Sequence, residues 1–207
     1  MARYARGKST REEIIKEAMI VFAKNGYYEA SLRDISARVG ISHPGLLHHF
    51  PSKSDLLLAV LDARDAEDVR ITLPLLEQGY DLVDAIVELA ERNMERPGMV
   101  SLFAKLSAEA TDPAHPAHEY FSERYRRTLE GYTLYFEELR RQEKLSPTLD
   151  PAEVAKALVA LMDGLQVVWL YGWRSGLPDR HVDMPRIVRE FLSFTGRGNT
   201  PETVTTG

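Results

Sequence analysis

Between Ser9 and Asp55 the chain is cut into short helical segments by caps and stops, and this punctuation restricts the fold more than any other feature. Ser9-Thr10 stand three residues ahead of Glu12 and Glu13, Ser31 stands three ahead of Asp34, and Ser52 three ahead of Asp55. A hydroxyl at that distance before a carboxylate satisfies unpaired backbone donors at a helix start, so each pair marks an N-terminus. Asn25-Gly26 and Gly40 supply the stops. Ser42 opens a further helix, in which Pro44 is acceptable because first-turn N–H groups have no intrahelical partner. The apolar positions agree with this division. Ile14, Ile15, Ala18, Val21 and Phe22 recur at helical spacing in the first segment, and Leu32, Ile35, Ser36 and Val39 form a narrow face on the second. The third buries Leu46, Leu47 and Phe50, and the fourth carries Leu56, Leu57, Val60 and Leu61.

The rest of the chain reads as longer helices. Pro74 and Gly79 are expected to break the chain before a helix over Tyr80–Arg96, and Pro97-Gly98 before one over Met99–Ala110. A long helix is expected from His118 to Leu145, and another from the Asp150-Pro151 start to about Trp173, closed by Gly176-Leu177-Pro178. A last one spans Met184–Thr195, and the polar tail 197–207 reads as disordered. No alternating β-branched run appears, so the expected class is all-α.

Composition excludes several classes of function. The 207 residues include no cysteine, which removes disulfides, thiolate metal sites and a cysteine nucleophile and fits a cytoplasmic protein. No run approaches eighteen uninterrupted apolar residues, so no membrane-spanning helix and no membrane partner are expected. Phosphate-cradling glycine loops and a GxSxG serine are absent, and the paired carboxylates at Glu137-Glu138 point apart on a helix. An enzyme is therefore not expected, and no cofactor is implied. The net charge of −5 is unevenly spread. Residues 1–60 carry nine basic against six acidic side chains; the remaining 147 carry seventeen against twenty-five. A basic module ahead of an acidic body is a sign of localised polyanion binding.

Two short helices joined through Gly40-Ile41-Ser42 have the helix-turn-helix pattern, whose second helix lies in a DNA major groove; the same spacing also fits an ordinary corner of a helical bundle. The exposed positions of the third helix favour DNA. Ser42, His43, Pro44, Gly45, His48 and His49 are small or hydrogen-bonding, without acidic residues. Ser42 and His43 can donate to purine acceptors, and Pro44 can touch a thymine methyl. Ser31 and Lys53 lie at helix starts, where phosphates are held. Arg3, Arg6 and Lys8 suit a flexible arm in the minor groove.

These residues carry a family resemblance. Gly26-Tyr27-Tyr28-Glu29-Ala30-Ser31-Leu32-Arg33-Asp34-Ile35-Ser36, Gly40-Ile41-Ser42 and His48-His49-Phe50-Pro51-Ser52-Lys53 with Leu56-Leu57 resemble the DNA-binding region of TetR-family (tetracycline-repressor-like) transcriptional regulators. Leu161-Met162-Asp163-Gly164-Leu165-Gln166 resembles, less specifically, the penultimate helix of one large subgroup. The chain departs from the pattern at Leu47, where the family usually has a phosphate-contacting tyrosine, and at Gly45, where threonine is frequent. The phosphate contact then passes to His48 or His49, and backbone approach replaces side-chain readout at Gly45.

The resemblance implies a small three-helix helix-turn-helix domain over 1–55 and a larger helical effector-binding and dimerisation domain over 56–196, about nine helices in all. It implies a homodimer on a pseudo-palindromic double-stranded operator, released by a small effector. Phe103, Tyr125, Tyr132, Met162, Gln166 and Trp169 are the candidate effector contacts, being large and partly polar-tipped, and they point to an apolar or aromatic molecule. The helix from Pro151 is apolar on two sides, one with Val154, Leu158, Leu161, Leu165 and Val168, the other with Ala155, Val159, Met162, Gln166, Trp169 and Trp173. The first side, with Ile187 and Phe191 of the last helix, is the candidate dimer interface. Asp112, His115, His118 and Glu119 are potential metal ligands, but Pro113 and Pro116 make their segment a loop, so no metal is assigned. The rival reading is a small-molecule-processing helical enzyme whose N-terminal corner is only structural.

Overall fold

The computed structural model describes residues 2–175 and 182–196, with side chains for residues 10–173 and 182–196. The expected stop at Gly176-Leu177-Pro178 and the tail 197–207 lie outside the described residues. Among the described residues there are nine α-helices: α1 (Ala2–Glu29), α2 (Leu32–Val39), α3 (His43–His49), α4 (Lys53–Glu77), α5 (Leu82–Met94), α6 (Pro97–Glu109), α7 (His118–Arg141), α8 (Pro151–Ser175) and α9 (Met184–Thr195). Their β pairing is one antiparallel bridge, Leu145 to Gly196.

Local chemistry explains most boundaries. α1 is kinked at Gly26, whose φ of 76° and ψ of 177° no helix can contain. Gly40 ends α2 in the left-handed region, φ 75° and ψ 25°, and its N–H reaches back to the Ala37 and Ser36 carbonyls. Nothing lies within 4 Å of where a Cβ would sit there, so the demand for glycine is conformational rather than steric. Gly40→Ala should therefore cost about 1 kcal/mol in urea unfolding. An unchanged midpoint would mean the turn relaxes out of the left-handed region.

Two boundaries differ from expectation. α1 begins at Ala2 and not at Ser9-Thr10, because the alanines and arginines ahead of that pair are good helix formers. Arg3, Arg6 and Lys8 consequently lie on a helix rather than a flexible arm. Pro74 does not break the chain but sits inside α4, which runs on to Glu77. A proline this close to a C-terminus removes few helical bonds, and Gly79, φ 86°, makes the actual turn.

The chain divides into two compact units, Met1–Pro74 with Arg92–Ser122, and Leu75–Glu91 with Glu123–Gly207. In the first, α1 packs on α2 and α6, and α2 on α3. Its core holds Ile14, Ala18 and Phe22 of α1, Ile35, Leu46 and Phe50 from the next two helices, Leu56, Leu57 and Val60 of α4, and Leu102 and Leu106 of α6. Apart from Ala18, each such side chain contributes on the order of 1.5–3 kcal/mol by leaving water. That core fixes the position of α3.

The second unit is built on α8 and α9. Its core holds Ile86 and Val87 of α5, Phe136 of α7, Leu145 of the connection after α7, Val154, Ala155 and Leu158 of α8, and Val188 and Leu192 of α9. The stretch Pro151–Trp173 is, by length and composition, long and apolar enough to cross a membrane. An uninterrupted-run criterion misses it, since Glu153, Lys156 and Asp163 interrupt the sequence. Val154, Ala155 and Leu158 near its start pack in this core, while most of the stretch is not buried.

Candidate nucleic-acid interface

α3 is held out by its caps. Ser42 has extended backbone, φ −71° and ψ 152°, and its Oγ accepts the Gly45 N–H at 3.1 Å. A Cβ at Gly45 would sit 3.1 Å from that Oγ, so glycine keeps the cap uncrowded. At the other end the Phe50 N–H donates to the Leu46 carbonyl at 2.9 Å. Leu46 and Phe50 are buried, and the Arg11 guanidinium lies 4.8 Å from the Phe50 ring centre. Leu47, expected in the core, is half-buried.

The opposite side of α3 presents what the sequence nominated. Ser42, Pro44 and His48 are exposed, while His43, Gly45 and His49 are half-buried. The His48 and His49 rings stand edge to face, 5.9 Å apart. His43 Nδ1 is buried without a hydrogen-bond partner. A bare nitrogen costs less there than an unpaired N–H, so Nε2 is the ring nitrogen suited to donate.

Ser31 and Lys53 flank this surface through their own elements. Ser31 Oγ caps α2, accepting the Asp34 N–H at 3.5 Å, and its hydroxyl hydrogen stays available to an acceptor. Ser52 and Asp55 close a reciprocal cap at α4, at 3.1 and 2.7 Å. Lys53 is more engaged than expected. Its Nζ donates to the Tyr28 carbonyl at 2.7 Å and lies 4.8 Å from the centre of the Tyr27 ring. Burial pulls its pKa below the ordinary lysine value, with Glu29 opposing. Two of its three N–H donors remain for a phosphate.

Sequence reasoning missed the tyrosines around it. Tyr27 is buried, with its hydroxyl 2.9 Å from Ser54 Oγ, and Tyr28 is 63% exposed. Only the Gly26 stop signalled this turn; the partners come from α4 and are remote in sequence.

The other nominated residues fall in both units. Phe103 belongs to the first, where its ring is buried 5.0 Å from Phe121 and the Arg64 guanidinium lies 3.8 Å from its centre. Tyr125, Tyr132, Met162, Gln166 and Trp169 belong to the second. Tyr125 donates its hydroxyl to Asp163 at 2.7 Å. Tyr132 and Met162 pack on the core, Gln166 and Trp169 are buried, and Trp169 stacks on Trp173 at 6.2 Å. Nearby, Tyr135 donates to Asp81 at 2.5 Å, and burial followed by that carboxylate raises its pKa far above the usual phenol value.

For the expected dimer face a correction is needed. Val154 and Leu158 are 5% and 1% exposed in the chain's own core, so they have no surface to offer a second copy. Near the start of α8 both sides are buried, Ala155 beside Val154 and Leu158, and the first side opens to the surface only further along the helix. Leu161, Leu165, Ile187 and Phe191 are half-buried, and Val168 is 56% exposed. Val167, Tyr171 and Trp173 of α8 and Phe194 of α9 are exposed as well.

The residues of the 112–119 cluster serve the α6–α7 connection. Asp112 Oδ1 accepts the Ala114 N–H at 2.9 Å, and His118 Nδ1 donates to the Ala110 carbonyl at 2.8 Å. His115 Nδ1 accepts the Ala117 N–H at 3.1 Å. Among the described residues no group of three or more His, Cys, Asp or Glu is arranged to hold a metal ion.

A capped helix whose outward residues are donors or small, with Ser31 and Lys53 at neighbouring helix starts, is suited to a DNA groove. Comparison with known proteins agrees. The model for bacterial regulatory proteins of the tetR family matches residues 14–60, and that for the C-terminal part of BetI-type transcriptional repressors matches residues 80–193. The chain is 26% identical over 158 residues to the HTH-type transcriptional regulator UidR of Escherichia coli K12, spanning 75% of this chain and 79% of that one. A protein from Saccharomonospora viridis solved in complex with choline shares the fold at a TM-score of 0.75 and 24% identity, over 91% of this chain and 98% of that one. A TetR transcriptional regulator from Chloroflexus aurantiacus does so at 0.74 and 22%, over 93% and 98%.

Proposed function

The chain belongs to the tetR family of bacterial regulatory proteins, and from that premise we propose that it is a repressor released from a pseudo-palindromic operator by a small, largely apolar or aromatic effector. The family is one of DNA-binding transcriptional regulators, not enzymes. The observation that carries the reading is the Ser42-capped α3, whose outward residues are donors or small and include no carboxylate. Residues 1–55 are the DNA-binding domain and 56–196 the effector-binding and dimerisation domain, acting in the cytoplasm. Ser42, His43, Pro44, Gly45, His48 and His49 face the major groove, and Ser31 and Lys53 hold phosphates.

A two-fold dimer would meet half-sites about 34–36 Å apart. The exposed apolar residues of α8 and α9 support such a dimer, with Val168, Tyr171 and Phe194 joining Leu161, Leu165, Ile187 and Phe191. Tyr132, Met162, Gln166 and Trp169 are the effector contacts, and the choline-bound relative supports a small organic molecule as the ligand. To release DNA, the effector must prefer the non-binding conformation, since a ligand indifferent between two states shifts neither.

Footprinting on the DNA around its own gene, in excess random DNA, tests the reading. His43→Ala should relax base preference at one position of each half-site, by about 1–3 kcal/mol. Lys53→Ala should weaken all sequences alike and reduce the salt slope by about one. Loss of affinity by both variants with preference intact would remove α3 from the groove.

A further inference from the structure

The α6–α7 connection buries an imidazole that the proposed DNA contacts leave unused. His115 is 3% exposed. Because its Nδ1 accepts the Ala117 N–H, the neutral ring carries its hydrogen on Nε2. That Nε2 is buried without a hydrogen-bond partner, 3.7 Å from Glu109 Oε2. The ring stands nearly perpendicular to Tyr27 and Tyr28, at 5.3 and 5.8 Å between centres. These are the tyrosines that hold Lys53, one through its ring and the other through its carbonyl. Tyr27 also ties the start of α4 through Ser54. All of these residues lie in the first unit.

We infer that His115 is a positioning residue for DNA binding: its neutral ring props the Tyr27-Tyr28 turn and so fixes Lys53, and its protonation loosens that support. The inference rests on the DNA-binding reading above. A proton added to Nδ1 faces the Ala117 N–H, donor against donor, and that bond is lost. Around the ring, Glu109 of α6 and Asp112 of the connection favour the proton, and the Tyr27 and Tyr28 rings face it from α1. Burial is the largest influence and lowers the His115 pKa, with Glu109 and then Asp112 opposing.

The sign follows. Unfolded, the ring titrates near its ordinary value of about 6.5, and folded it does so lower. Between the two values the unfolded chain binds more protons. The stability contributed by neutral His115 is therefore complete above about pH 6.5 and lost as pH falls through the folded value.

The test uses the full chain and the footprinted operator duplex, with Kd from fluorescence anisotropy between about pH 7.5 and 5.5. His115→Asn keeps an acceptor for the Ala117 N–H but cannot be protonated. Wild type should lose affinity on acidification several-fold more than H115N, at most about tenfold per pH unit for one linked proton. His43, His48 and His49 are present in both proteins, so their own protonation cancels. Glu109→Gln, at an exposed edge, should move the loss to lower pH. Parallel profiles for wild type and H115N overturn the inference. Failure of the wild type to bind specifically at any pH sinks the DNA reading and this one with it, whereas failure of H115N alone at neutral pH, where wild type binds, overturns only this one. Thermal melting without DNA separates the cases: the ring's titration survives there if wild-type Tm falls below about pH 6.5 more steeply than that of H115N.

Discussion

Val168→Glu combined with Tyr171→Glu should leave each chain folded and lower operator affinity by about a hundredfold or more. The two side chains are 56% and 77% exposed in a single chain, so the substitution removes little from the core. They stand three residues apart on α8, on the side that also carries Leu161 and Leu165. In a two-fold interface every substitution occurs twice, so two changes would put four carboxylates into one contact. An unpaired buried charge costs several kcal/mol, enough to separate the copies. Each monomer would then hold a single half-site and lose the gain from simultaneous engagement. Sedimentation should report a monomer, with an unchanged helical circular-dichroism spectrum. A variant that remains dimeric, or binds the operator as wild type does, places the subunit contact elsewhere.

Phe136→Ala should lower the stability of the second unit by about 3–5 kcal/mol. Phe136 is fully buried among Ile86, Val87, Leu158 and Val188, drawn from three other helices. Removing its ring takes away the transfer energy and leaves a cavity that fixed helices cannot close. Leu134, two residues earlier on α7, is 65% exposed, and its alanine variant should stay within about 0.5 kcal/mol of wild type. Urea unfolding of the three proteins checks both numbers. A cost below about 1 kcal/mol at Phe136 would mean that the core repacks around the loss.

Much of this molecule was legible in its sequence because the signals are local. Ser31, Ser42 and Ser52 cap the helices they were expected to start, since each works within three residues of itself. The glycine at position 40 ends α2 for an equally local reason. Failures came where a distant partner decides the outcome. Two apolar sides on α8 do not reveal that α5, α7 and α9 cover both of them near its start, so Val154 and Leu158 fill the core while Val168, on the same side, is exposed. The helix-start position of Lys53 gives no sign of its bond to the Tyr28 carbonyl, because that carbonyl is twenty-five residues away. His115 read as a loop polar group because Tyr27 and Tyr28, which enclose it, precede it by more than eighty positions. Pro74 read as a break because periodicity does not show how few helical bonds remain beyond it.

The chain contains two tryptophans, and both are on α8, one shielded and the other 54% exposed. Its indole emission therefore originates within about one turn of one helix, from two rings in unequal polarity. An optical signal excited near 295 nm follows the surroundings of that turn directly, while α1 to α4 contribute no indole light of their own. The protein thus carries a built-in reporter at the end opposite in sequence to the one that reads DNA, and a spectral change on adding a small molecule needs no label to be seen.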